Sequence, residues 1–358
     1  MTHLERLRKE MKNNGFDAVV VSSEINQRYL GGFNYTDGLI VVTESRAALL
    51  TDFRYIEAAN ASPAAKEFEI LMPDKRMSAA AYEVMAGAKR VAVEEATLSL
   101  SGYENFCNVF AGMEVVGGAS AMIDGLREFK DAGEIEKMKA AQAITDAAFA
   151  HIVDFIRPDM TERQVALELE FFMRSKGAEC VAFDTIAVSG SVSSMPHGVP
   201  RDVKLEKGFL TMDFGARFDG YCSDMTRTVV IGKADDDIRR LYNTVLEAQT
   251  SALAAAAPGA GCAKMDKIAR DIIDGAGYVG TFGHSLGHGV GMYIHEEPRL
   301  SFRVPADKVL TPGQVVTFEP GIYLSGKYGC RIEDMVLVTV DGILNFAHST
   351  KELIEIAD

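Results

Sequence analysis

The stretch MDFGARFDGYCSDMTRTVV, residues 212–230, has two apolar arms on either side of Asp219-Gly220. An Asp-Gly pair between alternating apolar residues is a strong signal for a β-hairpin with a two-residue loop. With that loop, Asp213 and Asp224 become diagonal neighbours on one face of the hairpin. Two facing carboxylates repel each other unless a cation lies between them. The hairpin alone leaves open a shared ion or a pair of solvent-facing aspartates, and a three-residue loop would break the register.

A second acidic pair lies in QVVTFEPGIYLSGKYGCRIEDMVLVT, residues 314–339. Glu319 ends the apolar run VVTF and Glu333 precedes the run MVLV, so a loop centred on Gly326 places them opposite each other. Acidic side chains beside buried strands cost free energy unless they are paired or bind a metal. The alternative is that Glu319 only ends a strand and that Glu333 forms an ion pair with Arg331.

Three of the seven histidines, His284, His288 and His295, lie in GHSLGHGVGMYIHEEP, residues 283–298. The glycines between them argue against a helix, and the segment lacks the HExxH spacing of helical zinc sites. The glycines are predicted to let the backbone lie flat against a site into which the imidazoles project. A single histidine here would more often be a hydrogen-bonded core residue, but three beside two acidic hairpins indicate a site.

One imidazole and four carboxylates form a hard, oxygen-rich ligand set. Such a set favours Mn²⁺ or a similar divalent cation over the thiolate-rich surroundings of structural zinc. Five protein ligands, two of them able to bridge, are typical of a dinuclear centre with metals about 3.5–4 Å apart. Such a centre supplies hydroxide at neutral pH and polarises the carbonyl group that hydroxide attacks.

The rest of the sequence predicts two domains, residues 1–126 and 127–358, with a break near Asp124-Gly125. In the first, short apolar runs alternate with helical patterns, which is typical of an α/β domain with a mostly parallel sheet. Its predicted strands are 17–23, 38–44, 46–52, 68–73 and 89–95, and its predicted helices are 77–88 and 100–112.

In the second domain, four amphipathic helices are predicted among hairpins. They cover residues 133–156, 162–177, 235–257 and 264–277. From about residue 281 the chain is glycine-rich and strand-like, so we expect an α+β domain.

Composition restricts the classes of partner and compartment. The net charge of −14, from 37 basic and 51 acidic residues, argues against a nucleic-acid partner, since phosphates require clustered Lys and Arg. The first residues, MTHLERLRKEMKNNGFDAVVV, carry charges where a signal peptide needs an apolar core, and no apolar run is long enough to span a bilayer. Five cysteines without a CxxC pair fit reduced thiols, so we expect a cytoplasmic protein without a membrane partner.

The acidic hairpins and the histidine segment together resemble the pita-bread metallopeptidases, specifically the Xaa-Pro peptidases. The ordered ligand set of that family matches Asp213 in MDFGA, Asp224 in CSDMTRT, His288 in GHGVG, Glu319 in FEPGIY and Glu333 in RIED. The resemblance implies that Asp213 is bidentate on one metal, that Asp224 and Glu333 bridge both, and that the other two complete opposite coordination spheres. The implied fold is a creatinase-like α/β N-terminal domain followed by an α+β pita-bread catalytic domain.

The resemblance also covers histidines around the substrate. His197 in SSMPHGVP, His284 and His295 match positions implied to bind the scissile carbonyl and to stabilise the tetrahedral intermediate, while Glu319 shuttles a proton. Taken from the sequence alone, His197 is equally well a plain loop histidine.

The N-terminal third resembles the creatinase-type domain through NQRYLGGFNYTDG (26–38) and TDFRY (51–55). In that family the domain mediates dimer contacts and helps to wall the active site, so a homodimer is implied. Methionine aminopeptidases share the ligands but usually lack this domain. Creatinases and non-catalytic relatives have lost ligands that this chain retains.

The implied activity is hydrolysis of the peptide bond before proline. Arg299 in HEEPRL favours a Xaa-Pro dipeptidase (prolidase), because a guanidinium can bind the free carboxylate of the substrate's proline. The alternative for Arg299 is a surface arginine beside Glu296-Glu297. The alternatives for the protein are a Xaa-Pro aminopeptidase (aminopeptidase P) acting on longer peptides, a related peptidase without strict proline preference, and a non-catalytic peptide-binding protein. Mn²⁺ is the expected metal, although Co²⁺, Fe²⁺ and Zn²⁺ also suit these ligands.

Overall fold

The computed structural model describes residues 1–357, which form two compact units, residues 1–127 and the residues from 128 onward. The first unit contains one six-stranded sheet with helices around it. Its strands are β1 (Ala18–Val21), β2 (Leu39–Thr43), β3 (Ala47–Leu50), β4 (Glu69–Leu71), β5 (Arg90–Val93) and β6 (Glu114–Val116). Its helices are α1 (His3–Asn13), α2 (Glu24–Gly31), α3 (Ile56–Ala61), α4 (Met77–Val84), α5 (Leu100–Val109) and α6 (Ala119–Arg127), with a 3₁₀ turn at Pro63–Lys66.

The strand order is β4-β3-β2-β1-β5-β6. β1 pairs antiparallel with β2, and β2 with β3, whereas the other three pairings are parallel. The predicted mostly parallel sheet is therefore a mixed one, because a short turn joins β2 and β3 as a hairpin. All five predicted strands and both predicted helices are present, while β6, α1, α2, α3 and α6 were not predicted.

The predicted boundary between residues 126 and 127 lies one residue before the division between the two compact units, and Asp124 and Gly125 themselves lie inside α6. A glycine inside a helix costs roughly 1 kcal/mol relative to alanine. Here the helix buries Ile123 and Leu126 and carries an ion pair between Asp124 and Arg127. The helix ends only at Arg127, and the next begins at Ala132 after the N-cap Asp131.

The second unit contains four helices, as predicted, and fourteen strands. The helices are α7 (Ala132–Phe155), α8 (Glu162–Ser175), α9 (Asp236–Ala255) and α10 (Cys262–Gly275), with a 3₁₀ turn at Gly190–Ser194. The strands are β7 (Cys180–Val181), β8 (Ile186–Ser189), β9 (Gly208–Phe214), β10 (Ala216–Phe218), β11 (Tyr221–Cys222), β12 (Met225–Ile231), β13 (Gly287–Gly289), β14 (Glu296–Leu300), β15 (Val315–Phe318), β16 (Gly321–Leu324), β17 (Tyr328–Arg331), β18 (Asp334–Val338), β19 (Ile343–Asn345) and β20 (Glu355–Ile356).

These strands form two main sheets, β20-β12-β9-β8 and β14-β13-β15-β18-β19, and two small ones, β11-β10-β7 and β16-β17. α7 and α8 share an apolar core with β8, β9 and β12, whereas α9 and α10 share one with the strands from β15 to β18. The unit is thus built twice from a helix pair on a sheet, although the sequence has no evident repeat. No helix among residues 1–357 is both long and apolar enough to cross a membrane.

Candidate active site

The first acidic pair is positioned by the hairpin around Asp219 and Gly220. Both residues have positive φ, 43° and 85°, as the predicted two-residue loop requires. Asp213, near the end of β9, pairs with Thr226 in β12. This is the register that the sequence predicts, and it holds across the whole hairpin.

Asp224 lies in a short break between β11 and β12. Gly215, which is opposite this break, permits a close approach of the two strands. A Cβ atom added to Gly215 would come within 2.0 Å of the carbonyl oxygen of Ser223. The hairpin therefore bends at Gly215, and Asp224 is almost completely buried.

The second acidic pair is positioned by the hairpin around Gly326, whose φ of 72° suits a glycine. Gly321 pairs with Arg331 on the inner strands β16 and β17, and the same register continues in β15 and β18. Glu319 follows β15 and Glu333 precedes β18, so the two lie opposite each other as predicted.

His288 lies in β13, between two glycines that pack against backbone. A Cβ atom on Gly287 would come within 2.0 Å of the carbonyl oxygen of Thr317, and one on Gly289 within 2.1 Å of that of Glu297. The segment is not helical, as predicted. Gly287 lines the candidate site, in line with the predicted role of the glycines, and both glycines also allow β13 to fit between β14 and β15.

All of the predicted site residues line one cavity of about 400 Å³. They are Asp213, Asp224, His288, Glu319 and Glu333, the histidines His197, His284 and His295, and Arg299. The carboxylates and imidazoles come from segments that are far apart in the sequence, and the two main sheets bring them together.

The inner part of this cavity has the donor atoms of a cation site. Asp224, His288 and Glu333 are buried and each offers a ligand atom within 4.8 Å of the other two. Nδ1 of His288 lies 3.0 Å from the carbonyl oxygen of Gly289 and donates to it, which leaves the Nε2 lone pair 3.3 Å from Glu319 Oε1 and 3.6 Å from Asp224 Oδ2. Lone pairs that converge in this way repel one another unless a cation separates them.

The pKa values describe the same repulsion. Burial, and next the charge of Glu333, raises the pKa of Asp224 well above its usual value. Burial, and next the charge of Glu319, likewise raises the pKa of Glu333. Burial raises the pKa of Glu319 to about 8. Burial lowers the pKa of His288 to about 3, so its imidazole is neutral as a metal ligand must be.

One further atom fits a cation. Oδ1 of Asp213 is buried and has no hydrogen-bond partner among the described residues, whereas Oδ2 accepts from Arg331. A buried carboxylate oxygen without a partner is costly, and a divalent cation would satisfy it. The five residues therefore fit a centre of hard divalent ions.

Arg331 and Tyr323 form hydrogen bonds with candidate site residues, which the sequence analysis does not predict. The Arg331 guanidinium donates to Asp213 Oδ2 at 2.6 Å, to the Tyr323 hydroxyl at 2.9 Å and to Thr226 Oγ1 at 3.0 Å. The sequence suggests Arg331 only as an ion-pair partner of Glu333, but its carboxylate partner is Asp213. The available signal was its position two residues before Glu333, which places both side chains on one face of an extended segment.

His284 is held on both sides. Its Nδ1 donates to the carbonyl oxygen of Ser285 at 2.9 Å, and its Nε2 accepts from the Tyr323 hydroxyl at 2.8 Å. Arg270, which pairs with Asp266 on α10, donates to the His284 carbonyl oxygen at 3.0 Å. Burial lowers the pKa of His284 to about 3, so this ring is a neutral, fixed wall of the cavity.

His197 and His295 are exposed on the cavity wall, and no side chain or backbone group of the described chain bonds to their ring nitrogens. The ring of His295 lies edge-on to that of His288, with centroids 4.4 Å apart. Burial, and next the charge of Arg299, lowers the pKa of His295, so its neutral ring can still donate one N–H. Both histidines have ring nitrogens free to meet a substrate.

The loop that carries His197 is anchored from α8. Arg201 donates to the fully buried Glu162 through Nε at 2.9 Å and Nη2 at 2.6 Å. Glu162 also accepts from the backbone and hydroxyl of Ser189 at the end of β8. The loop is thus fixed at its base although His197 itself is exposed.

Arg299 lies in β14, where it pairs with His288 of β13. It is half-buried in the cavity wall and not on the outer surface. Among residues 1–357 no carboxylate or carbonyl pairs with its guanidinium, although its charge acts on the pKa of His288 and His295. It offers a free bidentate donor to an anion in the cavity.

Comparison with known proteins gives two matches to family models and several close relatives. Residues 136–340 match the model described as Metallopeptidase family M24, and residues 3–129 match that of the Creatinase/Prolidase N-terminal domain. The chain is 38% identical over 355 residues to a Xaa-Pro dipeptidase of Pyrococcus furiosus, covering 98% of this chain and 99% of that protein. It is similar to a solved Xaa-Pro dipeptidase from Bacillus anthracis, with a TM-score of 0.94 and 40% identity over 99% of both chains. It is also similar to a solved X-Pro aminopeptidase from Thermotoga maritima, with a TM-score of 0.90 and 36% identity, covering 97% of this chain and 100% of that one.

Proposed function

This chain belongs to metallopeptidase family M24, and we propose that it is a metal-dependent Xaa-Pro dipeptidase that hydrolyses the peptide bond before proline. The observation that carries the proposal is the unpaired guanidinium of Arg299, in the same cavity as the five candidate ligands. A Xaa-Pro dipeptide has a free carboxylate on the residue that follows the scissile bond. Such a substrate therefore needs a cation close to the metal ligands, and Arg299 supplies one.

Two divalent cations, with Mn²⁺ as the proposed ion, would be held by Asp213, Asp224, His288, Glu319 and Glu333. Asp224 and Glu333 are both buried and lie close to His288 in this set. When bound, such a pair supplies hydroxide from water and polarises the scissile carbonyl. Metal analysis of freshly purified protein identifies the ion.

The proton transfers are assigned to Glu319, whose Oε1 lies 3.3 Å from His288 Nε2 and whose side chain is 17% exposed. It can take a proton from water and pass it to the leaving proline nitrogen. His197 and His295 have free ring nitrogens, and we assign them as donors to the scissile carbonyl and to the oxyanion that forms from it. His284 forms a fixed part of the cavity wall and accepts a hydrogen bond from the Tyr323 hydroxyl.

The second candidate is a Xaa-Pro aminopeptidase acting on longer peptides, which the similarity to the Thermotoga maritima structure favours. A peptide with a residue after proline has no carboxylate at the position that Arg299 would bind. A non-catalytic peptide-binding protein has no use for four carboxylates around one imidazole, so the retained ligand set favours turnover.

The test is release of free methionine, which hydrolysis before proline frees from both Met-Pro and Met-Pro-Ala, by metal-loaded and by chelator-treated protein. The proposal expects metal-dependent methionine release from the dipeptide and little cleavage of the tripeptide. Equal cleavage of both would favour the aminopeptidase, and binding of Met-Pro without turnover would favour the binding protein.

Three further properties are proposed. The two domains are proposed to divide close to residues 126 and 127, where α6 ends at Arg127, with the catalytic centre in the second. The homodimer rests on the resemblance of the first domain, and light scattering of the purified protein tests it. Cytoplasmic residence rests on five cysteines that all lack a disulfide partner; fractionation of cells that express the chain tests it.

A further inference from the structure

Asp184 lines the candidate active site but has no role in the proposed reaction. It lies between β7 and β8, next to Phe183, and its side chain is exposed. In the described part of the chain no group forms a hydrogen bond or an ion pair with its carboxylate. Asp184 therefore presents a free negative charge to a molecule that enters the cavity.

The other charges of the cavity are accounted for. The four candidate ligand carboxylates face the proposed cations, and Arg331 pairs with Asp213. This leaves Asp184 and Arg299 as two unpaired charges of opposite sign in one cavity. A molecule with both a cationic and an anionic end would find a partner for each.

The two unpaired charges lie beside different sheets. Asp184 is two positions before Ile186, which pairs with Asp213 in the sheet of β9. Arg299 pairs with His288 in the sheet of β13. Because Arg299 binds the proline carboxylate in the proposed function, the residue before proline lies across the centre, on the side of Asp184.

We propose that Asp184 determines specificity for the charge of the residue before proline, favouring Lys-Pro and Arg-Pro over Glu-Pro and Asp-Pro. This inference rests on the proposed Xaa-Pro activity. The α-nitrogen of the substrate is bonded to the carbon next to the scissile carbonyl, so it lies near the buried Asp224 and Glu333. A long side chain, in contrast, extends from that centre towards the exposed mouth, where Asp184 lies.

The expected size of the discrimination follows from the exposure of Asp184 to solvent. A pair of unit charges about 4 Å apart in water interacts by an amount equivalent to about fivefold in binding. Asp184 would attract a lysine side chain and repel a glutamate one, so the two effects multiply. After allowance for side-chain freedom we expect about tenfold discrimination.

The experiment measures kcat/KM for Lys-Pro, Met-Pro and Glu-Pro with metal-loaded wild type, Asp184→Asn and Asp184→Lys. The matched control is Asp341→Asn, since Asp341 is an exposed aspartate between β18 and β19 that does not line the cavity. Asp184→Asn is expected to lower the Lys-Pro to Glu-Pro ratio about tenfold while changing Met-Pro by less than about twofold. Asp184→Lys is expected to lower the ratio further, and the control is expected to match wild type.

Salt gives a second readout that a purely structural role of Asp184 would not affect. The wild-type ratio should shrink near 1 M salt, where the screening length is about 3 Å. An unchanged ratio in Asp184→Asn, or an equal loss for all three substrates, would overturn the proposal. Wild type that hydrolyses Met-Pro, Lys-Pro and Glu-Pro with equal kcat/KM would overturn only this inference. Failure to hydrolyse any Xaa-Pro dipeptide would overturn the proposed function as well.

Discussion

The Arg331 guanidinium and the Asp213 carboxylate form an ion pair at 2.6 Å, between side chains that are only 4% and 14% exposed. Arg331 belongs to the two-stranded sheet and Asp213 to the four-stranded sheet, so the pair joins two hairpins at the candidate metal centre. It leaves one oxygen of Asp213 free for a cation while it holds the other. Arg331 thereby fixes the orientation of a proposed ligand.

We expect Arg331→Met to destabilise chelator-treated protein by about 3–5 kcal/mol, because it leaves a buried carboxylate without its partner. Arg331→Lys keeps the charge but loses the fork that reaches Tyr323 and Thr226, and should cost less. Urea unfolding with both variants measures the difference. Two variants as stable as wild type would mean that the pair contributes no stability.

Asp224→Asn should lower metal content and abolish turnover while the fold survives, because an amide cannot bridge two cations as a carboxylate does. Metal analysis, circular dichroism and proline release measure the three effects. Asp219→Asn is the matched control, since Asp219 lies in the hairpin turn, forms an exposed ion pair with Lys137, and has a positive φ that asparagine tolerates. A variant at Asp224 that hydrolyses Xaa-Pro at a near-normal rate would contradict the dinuclear assignment.

His295→Ala should lower kcat by about 10²–10³, the effect of removing one oxyanion donor. Its metal content should be unchanged, because the His295 ring packs against His288 but has no carboxylate within bonding distance among the described residues. His288→Ala, in contrast, should lose metal. Equal metal loss in His295→Ala and His288→Ala would contradict the assignment of oxyanion stabilisation to His295 and of metal binding to His288.

Arg299→Ala should raise KM for Xaa-Pro dipeptides by at least about thirtyfold, since removing one partner of a hydrogen-bonded charge pair costs about 2 kcal/mol or more. Tripeptides with a residue after proline should be little affected. Arg303→Ala serves as the control, because Arg303 is exposed and does not line the cavity. An unchanged dipeptide KM would favour the aminopeptidase alternative.

Chelation should make stability depend on pH. Burial raises the pKa of Glu319 to about 8, and the pKa values of Asp224 and Glu333 are raised in the same direction. An unfolded glutamate has a pKa of about 4.3. Between that pH and the pKa of Glu319 in the folded protein, the folded protein binds more protons than the unfolded chain. Its stability then falls as pH rises from about 5 to about 8. Bound cations oppose protonation, so the metal-loaded protein should lack this slope.

Thermal unfolding with chelator and with Mn²⁺, at steps across that range, measures the effect. The difference between the two midpoints should widen as pH rises. A constant difference would mean that the carboxylates are not protonated together in the chelated protein.

Much of the first unit could be predicted because its signals are local. β1 to β5 are short apolar runs with turn residues at their ends, and all were predicted. The missed helix α1 also carried a local signal, a capping box formed by Thr2 and Glu5 with Leu4, Leu7 and Met11 on the buried face. Gly125 lies inside α6 although glycine lowers helix propensity, because the helix buries Ile123 and Leu126.

The sequence by itself determined the two hairpin registers and the residues they place face to face. Asp219-Gly220 and Gly326 indicate the two turns, and with a two-residue loop at the first, alternation along the strands predicts that Asp213 lies beside Asp224 and Glu319 opposite Glu333. Each of these inferences spans only one hairpin.

Only the tertiary structure decided how these hairpins meet. The Arg331–Asp213 pair joins residues 118 positions apart, and the His284–Tyr323 contact joins residues 39 positions apart. The unpaired state of Arg299 and Asp184 depends equally on what the rest of the second unit places around them. Such contacts arise from the packing of two sheets against their helix pairs, and turn chemistry and periodicity carry no information about which side chains that packing brings together.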